Sequence, residues 1–172
     1  MPGDEWYAVW TRSNCERLVA EQLAAKAFTP FLPEMPARAR RGGSRVEQVP
    51  LFPGYLFVRH AMDKTSYVEI LKARGVVRIL DGGWTRLTPI PVEEVDAVQR
   101  LVQSGLPFLP HAYFHTGDRV RVVSGPLCGI EGTFVREKAQ QARLVLSIHL
   151  LQASVAVEVD AGCVEACRPH VM

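Results

Sequence analysis

The sequence predicts an α+β protein, with a mixed α/β N-terminal unit followed by a small β-barrel. Three observations carry this prediction. Strand and helix patterns alternate from Trp6 to Val102. The helical period stops at Ser104, where an aperiodic run with Pro107 and Pro110 begins. Beyond that run, short apolar stretches follow one another between turn residues, the spacing of a small closed or partly closed barrel. The expected boundaries are 1–104 for the first unit, 105–113 for a linker and 114–172 for the barrel.

Each element follows from local chemistry. Trp6-Tyr7-Ala8-Val9-Trp10 is aromatic and β-branched, hence a strand. Ser13 or Asn14 is suited to cap a helix with Glu16 near its positive end, and Leu18, Val19, Gln22 and Leu23 recur at helical spacing. Prolines alternate with apolar residues from Phe31 to Arg38, as in an edge strand that tolerates missing amide donors. Leu51 to Val58 reads as an aromatic-rich strand broken early by Pro53-Gly54. Thr65 or Ser66 is suited to cap a second helix that stops before Gly75. Val76 to Leu80 is a buried-type strand, Asp81-Gly82-Gly83 a turn, and Trp84 to Thr88 a returning strand. Pro91 suits a first helical position, with Val95, Val98, Leu101 and Val102 on one face behind it. The barrel strands are expected at Arg119–Val123, Ile130–Arg136, Arg143–Leu150, Val155–Asp160 and Val164–Ala166.

Composition narrows the class. Hydrophobic content of 48% and charged content of 22% are ordinary for a globular chain. No apolar run approaches the roughly 20 residues that span a bilayer, and acid stands at the N-terminus where a secretory signal carries base. A cytoplasmic protein with no membrane association is expected. The four cysteines offer one pair, Cys163 and Cys167, without the second pair or His run that a zinc site needs, so no metal or other cofactor is expected. The five histidines are scattered, and no phosphate loop, nucleophile elbow or zinc-protease pattern is present. Enzymatic chemistry is not expected.

Two segments and a charge cluster remain. Arg38, Arg40, Arg41 and Arg45 crowd one stretch around Gly42-Gly43, which reads as a basic loop or hairpin tip; taken alone, a loop charged for solubility explains it slightly better than nucleic-acid contact. In Gly117-Asp118-Arg119-Val120-Arg121-Val122-Val123-Ser124-Gly125-Pro126-Leu127-Cys128-Gly129-Ile130-Glu131-Gly132, strand alternation leads into sharp turns where glycine alone is unstrained. This run resembles a KOW motif at Gly117, Asp118, Val120, Val122, Gly125, Gly129 and Gly132. Val49–Val58 displays Phe52, Tyr55 and Phe57 close together, and taken alone these aromatics would be core.

The order of features adds a resemblance. Trp6-Tyr7-x-Val9, a helix from Ser13, an Arg-rich loop, Leu51-Phe52-Pro53-Gly54-Tyr55-Leu56-Phe57-Val58, Arg74-Gly75-Val76 and a closing helix resemble the NGN domain of NusG-type elongation factors. An NGN domain followed by a KOW domain is the architecture of that family, and the resemblance covers nearly the whole chain. Pro50-Leu51-Phe52-Pro53-x-Tyr55-Leu56-Phe57-Val58 and Arg74-Gly75-Val76 look closer to the RfaH-like antiterminators than to the housekeeping factor.

The resemblance implies a monomeric transcription factor whose N-terminal domain binds the clamp helices of the largest catalytic RNA polymerase subunit and suppresses pausing or termination. Carried over by position, Tyr7, Trp10, Phe52, Tyr55 and Phe57 form that surface, and Phe52 and Tyr55 are its leading members. Arg74 matches a position where specialised paralogues touch the non-template DNA strand; Arg12, Lys72, Arg40 and Arg41 are further DNA-binding candidates, and arginine suits exposed single strands. The KOW domain would recruit a small-subunit ribosomal protein or Rho, with Phe134, Ile148 and Leu150 as candidate contacts if they are not core. One paralogue folds its KOW sequence as a helical hairpin, and Gln140 to Ile148 tolerates helix, although the β-rich tail favours a barrel. The alternative is a ribosome-associated KOW protein that binds RNA without polymerase, for which the aromatic segment would have no use.

Overall fold

A computed structural model describes residues 3–38, 44–80, 83–111, 117–138, 141–148, 151–160 and 163–167. The chain divides into two compact units, Met1–Val92 and Glu93–Met172.

In the first unit the order is β1 (Glu5–Thr11), α1 (Glu16–Ala25), β2 (Thr29–Phe31), β3 (Glu34–Arg38), β4 (Val46–Pro50), β5 (Tyr55–His60), α2 (Lys64–Leu71) and β6 (Val76–Ile79), then a 3-10 turn at Trp84–Arg86. Among the described residues, β2-β5-β1-β6 form one antiparallel sheet and β3-β4 a separate hairpin. The central strands β1 and β5 are apolar on both faces, which explains their unbroken aromatic and aliphatic runs. Tyr7, Val9, Leu56 and Val58 face the helices and close a core with Val19, Leu23, Ile70 and Ile79. Each such aliphatic side chain contributes about 1.5–3 kcal/mol by leaving water. Pro30 is accommodated because β2 is an edge strand paired only with β5.

Several local expectations are corrected. Neither Ser13 nor Asn14 caps α1: Cys15 occupies the cap without a side-chain bond, and Asn14 takes a positive φ of 62°. Asp63, not Thr65 or Ser66, caps α2, accepting from the Ser66 amide at 2.7 Å. The expected Leu51–Val58 strand begins only at Tyr55, because Leu51 to Gly54 is a turn in which the Tyr55 amide donates to the Phe52 carbonyl at 3.0 Å. The Phe31–Arg38 strand is two strands, β2 and β3. Trp84 starts a 3-10 turn, not a returning strand.

The second unit holds α3 (Val92–Ser104), β7 (Phe108–His111), β8 (Asp118–Val122), β9 (Glu131–Lys138), β10 (Gln141–Ile148), β11 (Ala153–Val159) and β12 (Val164–Ala166). The six strands form one antiparallel sheet in the order β12-β8-β9-β10-β11-β7. Its core is Val120, Val122, Leu144, Val145, Leu146, Val155 and Val157. Where the sequence suggested a boundary at 104, the compact units part at Val92/Glu93. Helix α3 is tied to the β-unit through Arg100, whose guanidinium donates to the carbonyls of Pro126, at 3.4 Å, and Cys128. The expected linker is in part a strand: β7 pairs with β11 from Phe108↔Val157 to His111↔Ser154. Pro110 is tolerated there because β7 is an edge strand. Gln141–Ile148 is a strand between β9 and β11, not a helical segment.

Candidate binding surfaces

The sheet face of the first unit opposite α1 and α2 holds the aromatic candidates. Register places Trp10 opposite Tyr55 and Ala8 opposite Phe57 across β1 and β5, so Tyr55 and Phe57 do share a face. Their environments differ. Phe57 is fully buried, stacked on Phe31 at 6.0 Å and meeting Phe52 edge-on at 6.0 Å. Phe52 is also buried, and Tyr7 lies on the helix side, its hydroxyl donating to Glu5 at 3.0 Å. These three expected surface residues are therefore core. Trp10, at 37% exposure, and the half-buried Tyr55 are the aromatics of the set that reach solvent.

The Pro53-Gly54 turn sets this pair. Thr11 donates its amide to the Gly54 carbonyl at 2.8 Å, and the buried Glu16 carboxylate accepts from the Gly54 amide at 2.7 Å. Gly54 has φ +86°, and a Cβ there would touch the Trp10 indole at 3.8 Å. The turn thus lies against Trp10 and delivers Tyr55 beside it. On the other flank, Arg78 of β6 pairs in register with Trp10 and lays its guanidinium over the indole, 5.1 Å from the ring centroid. Glu16 and Arg78 were not singled out from the sequence. Glu16 sits at a helix start, where the dipole alone explains a carboxylate, and the β1–β6 register is a long-range fact.

The basic candidates separate as well. Arg12 and Arg74 are exposed and make no ion pair among the described residues. Their backbones are neighbours: the Arg12 amide donates to the Gly75 carbonyl at 2.8 Å. Gln22 clamps Arg74, accepting from its amide at 3.0 Å and donating to its carbonyl at 2.9 Å. Gly75, with φ +101°, lies so close to α1 that a Cβ would fall 2.8 Å from Cys15 Cβ. Lys72 instead pairs with Glu69 at 2.6 Å, and Lys26 holds the same carboxylate at 3.1 Å. Those two bonds keep the Glu69 carboxyl below its ordinary pKa. Arg40 and Arg41 lie outside the described residues.

In the second unit the glycine run builds the β8–β9 connection. Gly117, with φ +137°, leaves no room for a side chain, since a Cβ would stand 2.5 Å from Thr133 Cγ2. Asp118 opens β8 opposite Phe134, and Val120 and Val122 point into the core. Gly125 and Gly129 have positive φ of 86° and 90°, and the Gly129 amide closes the turn on the Val122 carbonyl at 2.7 Å. Gly132 is pressed between Leu144 Cδ1 and the Val145 carbonyl, each of which would lie 2.8 Å from a Cβ at that position. Of the candidate contacts here, Phe134 is half-buried, and the Ile148 side chain and Leu150 fall outside what the structure describes.

The first unit is thus mixed α/β with a partly exposed aromatic pair, and the second an antiparallel β-unit with a glycine-built turn. The profile described as "Transcription termination factor nusG" matches residues 4–99, more than half of the chain. The chain belongs to the NusG family of transcription termination and antitermination factors, which are not enzymes. It is 29% identical to the transcription termination/antitermination protein NusG of Escherichia coli, covering 95% of this chain and 97% of that one. The NusG of Vibrio cholerae is 28% identical, with 95% and 96% covered. The solved structure of Thermotoga maritima NusG, described for its domain interaction, has the same fold: TM-score 0.57 at 23% identity, over 96% of this chain and 98% of that chain. No helix of the described residues is long and apolar enough to cross a membrane.

Proposed function

We propose that this chain is an elongation and antitermination factor that binds the clamp helices of RNA polymerase through the Trp10–Tyr55 surface of its first unit. The observation that carries the reading is that these two aromatics stand side by side, partly exposed, on the sheet face that also holds the buried Trp6 and Phe57. Family membership supplies the partner class. Covering the two rings would yield several kcal/mol at about 25 cal/mol per Å², from which the cost of association is subtracted. Tyr7, Phe52 and Phe57 support this surface from beneath. Arg12 and Arg74, without an ion pair among the described residues and on adjacent backbone, are the groups for the non-template DNA strand. The second unit is the recruiting end for a ribosomal protein or Rho. Its strand at Gln141–Ile148 favours a KOW fold that stays β.

The test is retention of the full chain on RNA polymerase core enzyme. Tyr55→Asp and Trp10→Ala are expected to abolish retention while thermal unfolding stays close to wild type. Unchanged retention of both variants would sink the reading and favour the ribosome-associated alternative.

A further inference from the structure

Arg78 is the one cation in a row whose other members are aromatic. Across β5, β1 and β6 the register runs Tyr55, Trp10, Arg78 on a single sheet face. The guanidinium carbon lies 5.1 Å from the Trp10 ring centroid, a cation–π contact that does not use its N–H groups as hydrogen-bond donors. Among the described residues it makes no ion pair and no hydrogen bond, although it is exposed on an edge strand. Its contact with Trp10 sets it apart from arginines held elsewhere in this unit. Arg17 is held by Glu34, its Nε donating at 3.2 Å, and Arg12 and Arg74 belong to the loop beyond the strand ends.

From this placement we infer that Arg78 is a specificity-determining residue: its guanidinium receives, bidentately, a carboxylate from the protein partner that covers Trp10 and Tyr55. The inference rests on the proposed polymerase-binding role of that surface and adds the chemistry of the group it recognises there. A guanidinium already resting over a ring loses little freedom when its fork is filled, and the apolar neighbours lower the local dielectric as the surface is covered. A carboxylate fits better than nucleic-acid phosphate. Phosphate tracks need several cations in line. On this face the next cation, Arg59, stands opposite Trp6 at the far side of the buried Phe57, roughly 13 Å along β5 from Tyr55. The partner segment is therefore apolar at its centre, with one acidic side chain at the edge that meets β6.

The full chain is titrated against RNA polymerase core enzyme at two salt concentrations, and separately against an oligothymidylate. Arg78→Glu is expected to weaken polymerase binding by about tenfold or more, with oligothymidylate binding unchanged. Arg78→Lys keeps the charge but not the fork, so it should lose less and preserve the salt dependence, whereas Arg78→Gln should flatten it. If thermal unfolding shows Arg78→Glu to be misfolded, Arg78→Gln carries the test. Wild-type affinity in these variants, with Trp10→Ala defective, would overturn the inference and leave the aromatic surface standing. Loss shared equally with the oligothymidylate, or confined to it, would make Arg78 a phosphate contact and overturn it as well. If Trp10→Ala and Tyr55→Asp both bind normally, the functional reading itself has failed.

Discussion

The Glu16 carboxylate accepts a hydrogen bond from the Gly54 amide at 2.7 Å, joining the first turn of α1 to the turn that leads into β5. Glu16 is only 5% exposed and Gly54 half-buried, so the bond is partly shielded from water, and it joins segments far apart in sequence. The same turn is held from β1 by Thr11, and between them these bonds fix where the chain enters Tyr55.

Replacing Glu16 by leucine leaves the partly buried Gly54 amide without its acceptor. We expect a loss of about 1–3 kcal/mol in urea unfolding, the cost of an unsatisfied buried donor. Glu16→Gln keeps a side-chain carbonyl in reach and should lose less. The leucine variant should also bind polymerase more weakly than its residual stability accounts for, because Tyr55 is no longer delivered beside Trp10.

Gly75, Gly132 and Gly125 should rank by space and backbone conformation. Gly75→Ala meets both a positive φ and the Cys15 side chain, and should cost about 2–3 kcal/mol. Gly132→Ala meets Leu144 and the Val145 carbonyl and should cost a similar amount through overpacking of roughly 1–3 kcal/mol. Gly125 has a positive φ but open space, so Gly125→Ala should cost only about 1 kcal/mol. Thermal midpoints of the three variants check the order.

Phe57→Ala and Trp10→Ala should have opposite profiles. Phe57 is fully buried among Phe31 and Phe52, so its truncation should cost about 3–5 kcal/mol in guanidinium unfolding. Trp10→Ala loses a partly exposed ring and its cation–π partner, about 1 kcal/mol, yet should be the more damaging to polymerase binding.

Tyr7 gives the fold an alkaline limit. Burial, then its bond to Glu5 and that carboxylate's charge, push its pKa from 10.0 up to about 12. A group whose folded pKa is raised stabilises fully below its unfolded value, and that contribution fades as pH rises through the folded one. Stability should therefore fall between about pH 10 and 12, by roughly 3 kcal/mol at most. Tyr7→Phe should lose less over the same window, measured as denaturation midpoints against pH.

Much of the fold was legible because it is encoded locally. The aromatic run of β1, the helical spacing around Val19 and Leu23, and the strand-and-turn rhythm of β8 to β12 each identify themselves within a few residues. The glycines of the β8–β9 connection did too, because positive φ and missing side-chain space leave a signature in composition. What stayed hidden depends on pairings distant in sequence. Tyr55 and Phe57 share parity, and only the packing of Phe31 and Phe52 decides that one is surface and the other core. Gln22 on Arg74, Glu16 on Gly54 and Arg78 on Trp10 link elements whose register the sequence does not state. Capping of α2 by Asp63 was open to three neighbouring residues of similar chemistry, and backbone geometry chose among them.

The exposure of Trp10 has an optical consequence. Of the three tryptophans, Trp6 is 5% exposed, Trp10 37% and Trp84 38%. With Trp84 replaced by phenylalanine, Trp6 emits from a dry interior and Trp10 from a wet rim beneath a guanidinium. Covering the rim would then move the emission of a single indole to the blue, so the chain carries an intrinsic fluorescent reporter of its own occupancy.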